Sequence, residues 1–372
     1  MRQYLGMRNN NHQTLPAARL QSLDALRGLD MFYLVALTGI FRALPEFSDN
    51  ALNQWLANQS THPDWQGFTA YDVIFPMFIF IVGVAMPFSF TRRLEEEGGK
   101  KELFKHVLIR TLILTLLGVV LWQTPGGAHP QYGFYSVLYR IGFSYFFAAI
   151  ILMNTGIRGQ VYWTFGILIG YWLLMRFVPV PGYGMGDFSR EGNLATFMQQ
   201  WVGDVLSPKF SYVFSLTLIT SVSNAMMGVL AGHWLMSAKS GSRKTRGLLM
   251  TGIVLILVAL ISHLDFPINK KLASPSFTLL TCGISAVLLS IFYWIIDVKG
   301  YKKWAFFLVV VGVNPITIYV ADFLTNFNKI ASVFVGAFNF GQANRLVLAI
   351  TAAVIIWLFL YYLYRQRIFF KI

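Results

Sequence analysis

A single cysteine, Cys282, in 372 residues excludes an internal disulfide and a cysteine-based metal site. Charge is scarce as well. Asp, Glu, Lys and Arg make up 12% of the chain, about half the share of an ordinary soluble domain, which excludes a large solvated surface. No stretch alternates polar and apolar residues at strand period, no internal repeat stands out, and no segment reads as a separate soluble domain. The first twenty residues are polar and basic and lack an apolar core of about 7–15 residues, so a cleavable signal peptide is not expected.

What is present in excess is apolar. Hydrophobic residues are 56% of the chain and the mean hydropathy is +0.56. A hydrocarbon core needs about 20 apolar residues per helix, and such runs recur near 22–43, 72–91, 105–122, 134–153, 160–177, 210–236, 247–263, 275–296, 304–324 and 345–364. The expected fold is therefore all-α: a polytopic membrane protein of about ten transmembrane helices in one bundle. The apolar stretch 328–340 is too short to span and reads as re-entrant. Segment 178–209, with "PVPGYGMGDFSREGN", reads as a Gly/Pro loop.

The net charge of +14 points to topology and not to nucleic acid. With the N-terminus inside, 20 of the 30 basic residues fall on cytoplasmic segments and 6 on the opposite loops, and the first two outer loops carry none. Positive charge collects on the cytoplasmic side of membrane proteins, so both termini are expected there. Four arginines remain within helices or at their ends. Arg42 and Arg176, near outer ends, read as snorkelling to headgroups; Arg110 and Arg140 lie deeper and need a partner or a cavity. In "SLDALRGLD", Asp24 and Arg27 are spaced for an ion pair on one helix face. Asp30 and Asp322 interrupt apolar runs, while Asn224, His233 and Asn314 read as interhelical hydrogen-bond glue.

One stretch, "STHPDWQGFTAYDVIFPMFIFIVGVAM", sets His62 and Asp72 at the mouth of an apolar helix. A loop histidine alone is usually solvated, and an aspartate opening a helix usually satisfies amides and the dipole. Together they fit an imidazole base oriented by a carboxylate at the water boundary.

The spacing His62-x-x-Trp65-x-Gly67-x-Thr69-x-x-Asp72, running into "VIFPMFIFIVG", resembles the lumenal-loop motif of the heparan-α-glucosaminide N-acetyltransferase family and its bacterial relatives. "RLQSLDALRG" resembles the start of that family's first core helix. "VLYRIGFSYFF" is similar to its Gln-Arg helix, with Tyr139 in place of Gln. "FPINKKLASPSFTLLTCG" resembles its Pro-hydrophobic-Asn-Lys-Asn-Leu-Trp segment, with Lys271 and Ala273 as departures, and "YRQRIFFKI" resembles the bacterial C-terminal end. The resemblance runs over residues 19–372 and leaves 1–18 as a cytoplasmic tail.

It implies a transmembrane acetyltransferase with acetyl-CoA as co-substrate and no metal. Acetyl would pass from cytoplasmic acetyl-CoA to the amine of a glucosamine-type saccharide on the opposite side of the membrane. His62 and Asp72 then fall on the catalytic positions, with Trp65, Asn269 and Lys270 toward the saccharide. Arg27, Arg92, Arg93 and Arg140 are expected to meet the anionic donor. In a bacterium the membrane is the inner one and the His62 loop is periplasmic. A homodimer stays open. Two other readings also stay open: a glycan O-acetyltransferase with the same donor, and a proton-coupled transporter, which Asp30 and Asp322 would suit but for the want of paired inverted repeats.

Overall fold

The computed structural model describes residues 20–96, 99–122, 134 and 136–370. The expected tail, 1–18, lies outside the described residues. In chain order the helices are α1 (Gln21–Phe47), α2 (Ala51–Gln59), α3 (Ile74–Glu96), α4 (Gly99–Trp122), α5 (Val137–Asn154), α6 (Ile157–Phe177) and α7 (Leu194–Val205). They continue as α8 (Thr217–Met236), α9 (Gly241–Ser262), α10 (Pro275–Val298), α11 (Phe306–Gly312), α12 (Pro315–Leu324), α13 (Phe327–Val335) and α14 (Asn344–Arg365). Among the described residues the only strand-like pairing is a single bridge, Val180 with Gly184.

Seven of these helices are long and apolar enough to cross a membrane, namely α1, α3, α4, α5, α9, α10 and α14, and the bent pair α11–α12 would make eight. The remaining two expected spans are present as α6, with 21 residues, and α8, with 20. They are long enough to cross but less apolar. For α8 the reason is its place: it packs on α3, α5, α6 and α10 at the centre of the bundle, where protein and not lipid surrounds it. Interior helices can therefore carry Ser, Thr and Asn. Ser223 Oγ donates to the Thr164 carbonyl at 2.7 Å and His233 Nε2 lies 3.0 Å from Gln160 Oε1, tying α8 to α6. The lipid-facing α4 and α9 are correspondingly apolar and mostly unburied.

The helices depart locally from expectation in three places. The first span is one helix with a π turn, Tyr33–Leu37, in its middle. The loop expected over 44–71 contains α2, capped by Asn50, whose Oδ1 accepts from the Asn53 amide at 2.9 Å. The span expected at 304–324 is broken, with α11 and α12 bent by 68°. Pro315 accounts for the break: it has no N–H to give and disfavours the helical conformation at Asn314, which sits at φ −128° and ψ 48°. Asn314 fills the gap with its side chain, donating to the Ile368 carbonyl at 2.9 Å and accepting from the Phe370 amide at 3.2 Å.

The long arginines also find protein partners. Arg42, expected to snorkel, instead donates through Nε and Nη2 to the Ser60 carbonyl, so it ties the loop that carries His62 to α1. Arg110 lies over the Tyr145 ring at 4.6 Å, and Arg176 pairs with Asp265 at 3.5 Å.

The central α3–α8 crossing is close. A Cβ on Gly228 would lie 2.1 Å from the Phe80 carbonyl oxygen, and one on Gly83 would lie 2.1 Å from that of Ala225. Both contacts are to backbone, which cannot swing aside. Gly228→Ala should therefore lower the apparent Tm in detergent by an amount equivalent to about 1–3 kcal/mol or more of overpacking. Gly166→Ala in α6, where no atom lies within 4 Å, should leave it unchanged. Equal Tm values for the two variants would contradict this crossing.

Candidate active site

The chain enters the site from the end of α2. Tyr33 Oη, on the π turn of α1, donates to the Gln59 carbonyl at 3.1 Å, and Gln59 Oε1 accepts from the Ala70 amide at 2.9 Å. The loop 60–69 is thus pinned at both ends. Within it Gly67 adopts φ +125°, a conformation that excludes a side chain. Its amide donates to the Ile268 carbonyl at 3.2 Å, which presses the loop against segment 267–274. Asn269 builds the turn there: its Oδ1 accepts from the Leu272 amide at 3.0 Å. Lys270 is carried into the site by that turn.

Asp72 is fully buried in the 3₁₀ turn Ala70–Asp72 that opens α3. Its two oxygens do different work. Oδ2 accepts from the Thr69 amide at 3.1 Å, closing a capping box at the start of the helix. Oδ1 lies 2.7 Å from His62 Nδ1 and 3.4 Å from Lys270 Nζ. Both readings of Asp72, helix cap and histidine partner, hold at once. With Nδ1–H donating to Asp72, the lone pair of His62 falls on Nε2, 3.0 Å from Lys270 Nζ. The His62 ring stacks on Tyr71, centroids 4.4 Å apart, and its side chain is 42% exposed against 0% for Asp72. The imidazole therefore has one nitrogen fixed by Asp72 and the other within reach of Lys270, on a ring that is partly exposed.

Lys270 is held between the carboxylate and the ring with a side chain 27% exposed. Burial pushes its ammonium from the ordinary 10.5 down to about 8, while Asp72 acts in the other direction by stabilising the charge.

These groups border a cavity of about 260 Å³ lined also by Trp65, Phe75, Arg140, Gln199, Tyr212 and Thr217. Trp65 donates from Nε1 to the Phe188 carbonyl at 2.9 Å. Arg140 reaches Thr217 Oγ1 at 3.1 Å and lies over the Phe75 ring at 5.4 Å.

The structure brings together His62, Asp72, Trp65, Lys270 and Arg140 on this cavity. Asn269 is buried beneath it and acts on the site through the turn that presents Lys270. Arg27, Arg92 and Arg93 are elsewhere. Arg92 follows Asp72 by twenty residues along the Ala70–Leu94 span, about 30 Å at 1.5 Å per residue. Arg27 precedes the loop-binding Arg42 by fifteen residues on α1, about 22 Å, and pairs with Asp24 at 3.6 Å. The four arginines expected to meet the donor therefore occupy two ends of the bundle, with Arg140 alone at the His62 end. Sequence reasoning missed Tyr71, Gln199, Tyr212 and Thr217. Tyr71 adjoins Asp72 in the 3₁₀ turn, a weak signal; the other three reach the cavity through tertiary packing and carry none.

Residues 19–125 match a family described as "Domain of unknown function (DUF5009)". The chain is 24% identical to the human protein named heparan-alpha-glucosaminide N-acetyltransferase across 95% of its length, and 26% identical to the mouse protein of that name across 96%. It spans 60% and 62% of those two proteins. The chain is thus a distant relative of them, aligned over nearly all of its own length.

The position of Lys270 is open to direct measurement. At pH 8 about half of a lysine with that pKa is unprotonated, against roughly 0.3% at the ordinary value. Under competitive labelling with a small amine-directed reagent at pH 8, Lys270 should react at least tenfold faster than the exposed Lys303. Asp72→Asn removes the charge that favours the ammonium, so it should lower the Lys270 pKa further and raise labelling at pH 7. Mass spectrometry showing Lys270 no faster than Lys303 would contradict its burial beside Asp72.

Proposed function

We propose that this chain is a transmembrane acetyltransferase that moves acetyl from cytoplasmic acetyl-CoA to the amine of a glucosamine-type sugar on the far side of the membrane. The observation that carries the reading is His62 held between a buried carboxylate and a lysine at the rim of a cavity. The relatives' name, an N-acetyltransferase of heparan-alpha-glucosaminide, supports the reaction class, and the sugar acceptor is carried over from it. The basic asymmetry of the loops supports both termini in the cytoplasm and the His62 loop outside, periplasmic in a bacterial inner membrane.

The chemistry follows from the geometry. An amine attacks a thioester only through its free lone pair, so a base must take a proton as the C–N bond forms. His62 Nε2 has the lone pair for this, and Asp72 both fixes the ring through Nδ1 and offsets the charge of the imidazolium. The tetrahedral intermediate carries an oxyanion, which the Lys270 ammonium and the Arg140 guanidinium, two of the three cations lining the cavity with Lys271, would stabilise. Collapse breaks the C–S bond, and the CoA thiolate leaves with the proton returned from His62. Direct attack in a ternary complex is favoured over an acetyl-imidazole, because a half-exposed ring leaves such an intermediate open to water. At the other end of the bundle, Arg27, Arg92 and Arg93 supply a basic face for the phosphates of the donor.

The test is release of CoA by purified protein given acetyl-CoA and glucosamine. Removing a general base typically costs 10²–10⁴-fold in rate. His62→Ala should lose that much while Tm and acetyl-CoA binding hold, and Asp72→Asn should lose less in rate but also lower Tm, because Oδ2 caps α3. Unchanged transfer by His62→Ala would end this reading.

A further inference from the structure

Two lysines line the cavity, Lys270 and Lys271, and the chemistry above uses Lys270 only as a cation. Its Nζ lies 3.0 Å from His62 Nε2, 3.1 Å from Nδ1 and 3.4 Å from Asp72 Oδ1, and it stands 5.7 Å from the centre of the Tyr71 ring. His62 Nδ1 is in turn 2.7 Å from Asp72 Oδ1. An amine beside a base, with a carboxylate orienting that base, is the arrangement of an activated nucleophile. Burial draws the Lys270 ammonium down to about 8, so at that pH about half of the population is the free amine.

Lys271 supplies the contrast. Its Nζ donates to the Asp64 carbonyl at 2.6 Å and lies 6.0 Å from the centre of the Trp65 ring, and neither partner takes up a proton. Both lysines therefore meet whatever enters the cavity, but of the two it is Lys270 that has an imidazole beside it. The thioester that His62 serves must bring its carbonyl to an amine held near Nε2, and Lys270 Nζ already stands there. As the ammonium it has no lone pair and leaves the thioester to the acceptor. As the free amine it competes.

We propose that Lys270 is a self-acetylation site: with acetyl-CoA bound and no acceptor present, the Lys270 amine attacks the thioester carbonyl. The C–N bond forms as His62 takes a proton from Nζ; the C–S bond breaks, and CoA leaves as the thiol with that proton. The product is acetyl-lysine, a neutral amide that the site cannot pass on. It removes one of the three cations at the cavity and takes the ammonium away from Asp72, so donor in excess over acceptor switches the site off. This rests on the acetyltransferase reading above.

The experiment incubates the full chain in detergent with acetyl-CoA and no acceptor at pH 8, and follows its peptides by mass spectrometry. Acetyl should build up on Lys270 at a rate roughly tenfold or more above that on Lys271 or the exposed Lys303. Transfer to glucosamine should fall in step with the acetylated fraction. Removing a general base typically costs 10²–10⁴-fold, so His62→Ala, checked for an unchanged Tm, should slow modification of Lys270 by that order and leave Lys303 as it was. Lys270→Arg, which keeps a cation and is not nucleophilic, should lose none of its own starting activity on the same preincubation. Acetylation of Lys270 no faster than of Lys271, or unchanged in His62→Ala, would overturn the site; glucosamine-dependent CoA release would then leave the acetyltransferase reading standing without it. If wild type releases no CoA with glucosamine, that reading fails, and S-ethyl thioacetate, a thioester small enough to enter from the water, decides the site alone. His62-dependent acetylation of Lys270 supports it; labelling equal to that of Lys271 overturns it.

Discussion

A buried carboxylate must be paid for in hydrogen bonds and opposite charge, and Asp72 is the point where this chain meets that demand. With no exposure of its own, it would be strongly destabilising if left alone. Its partners come from two separate pieces of the sequence: the Thr69 amide and His62 from the loop between α2 and α3, and Lys270 from the turn before α10. Each is held there by local structure that makes sense only if the carboxylate is present. Gly67 at positive φ joins the loop to segment 267–274, and Asn269 shapes the turn that delivers the lysine. The same contact that stabilises the start of α3 therefore gathers an imidazole, a carboxylate and an ammonium at one cavity.

The bundle around it explains why the site is open at one end and basic at the other. α3 and α8 cross at the centre with glycine against backbone, a contact that leaves no slack for the groups mounted on their outer ends. Around that crossing, the π turn and the 3₁₀ turn lie at the His62 end, while the α11–α12 break lies toward Arg27, with Gly312 against the backbone of Asp24 and Gly28. At the far end lie Arg27, Arg92 and Arg93, separated from His62 by most of a helix length. A donor with several negative charges and a long flexible arm fits such a division, and so does an acceptor that stays on the other side.

Much of this was legible in the sequence, for identifiable reasons. Membrane helices announce themselves by length and apolarity, so α3, α4 and α9 stand out; α8 stands out less, because its neighbours are protein and tolerate polar side chains. His62 and Asp72 were legible as a pair because ten residues separate them within one short loop. The junction with Lys270, some two hundred residues on, was readable only through the resemblance of its segment, since no periodicity links a loop to a distant turn. Arg140 groups with Arg27 as a basic residue, although with the N-terminus inside the span 22–43 starts at the cytoplasmic face and the span 134–153 at the opposite one. Arg42, near the outer end of an apolar run, reads as snorkelling to headgroups; the Ser60 carbonyl, left free by the end of α2, is the partner it takes instead. The break before Pro315 is written in the sequence by the proline itself, but its effect, laying α12 against the π turn of α1, depends on packing.

The claim that one bundle joins a cytoplasmic donor to an acceptor on the other face is tested most directly by a sided assay. The protein is reconstituted in sealed vesicles of known orientation, with acetyl-CoA confined to one compartment and glucosamine to the other. Acetylated sugar should form only when acetyl-CoA is on the Arg27 side and glucosamine on the His62 side. Product formed solely when both substrates share a compartment would contradict the account.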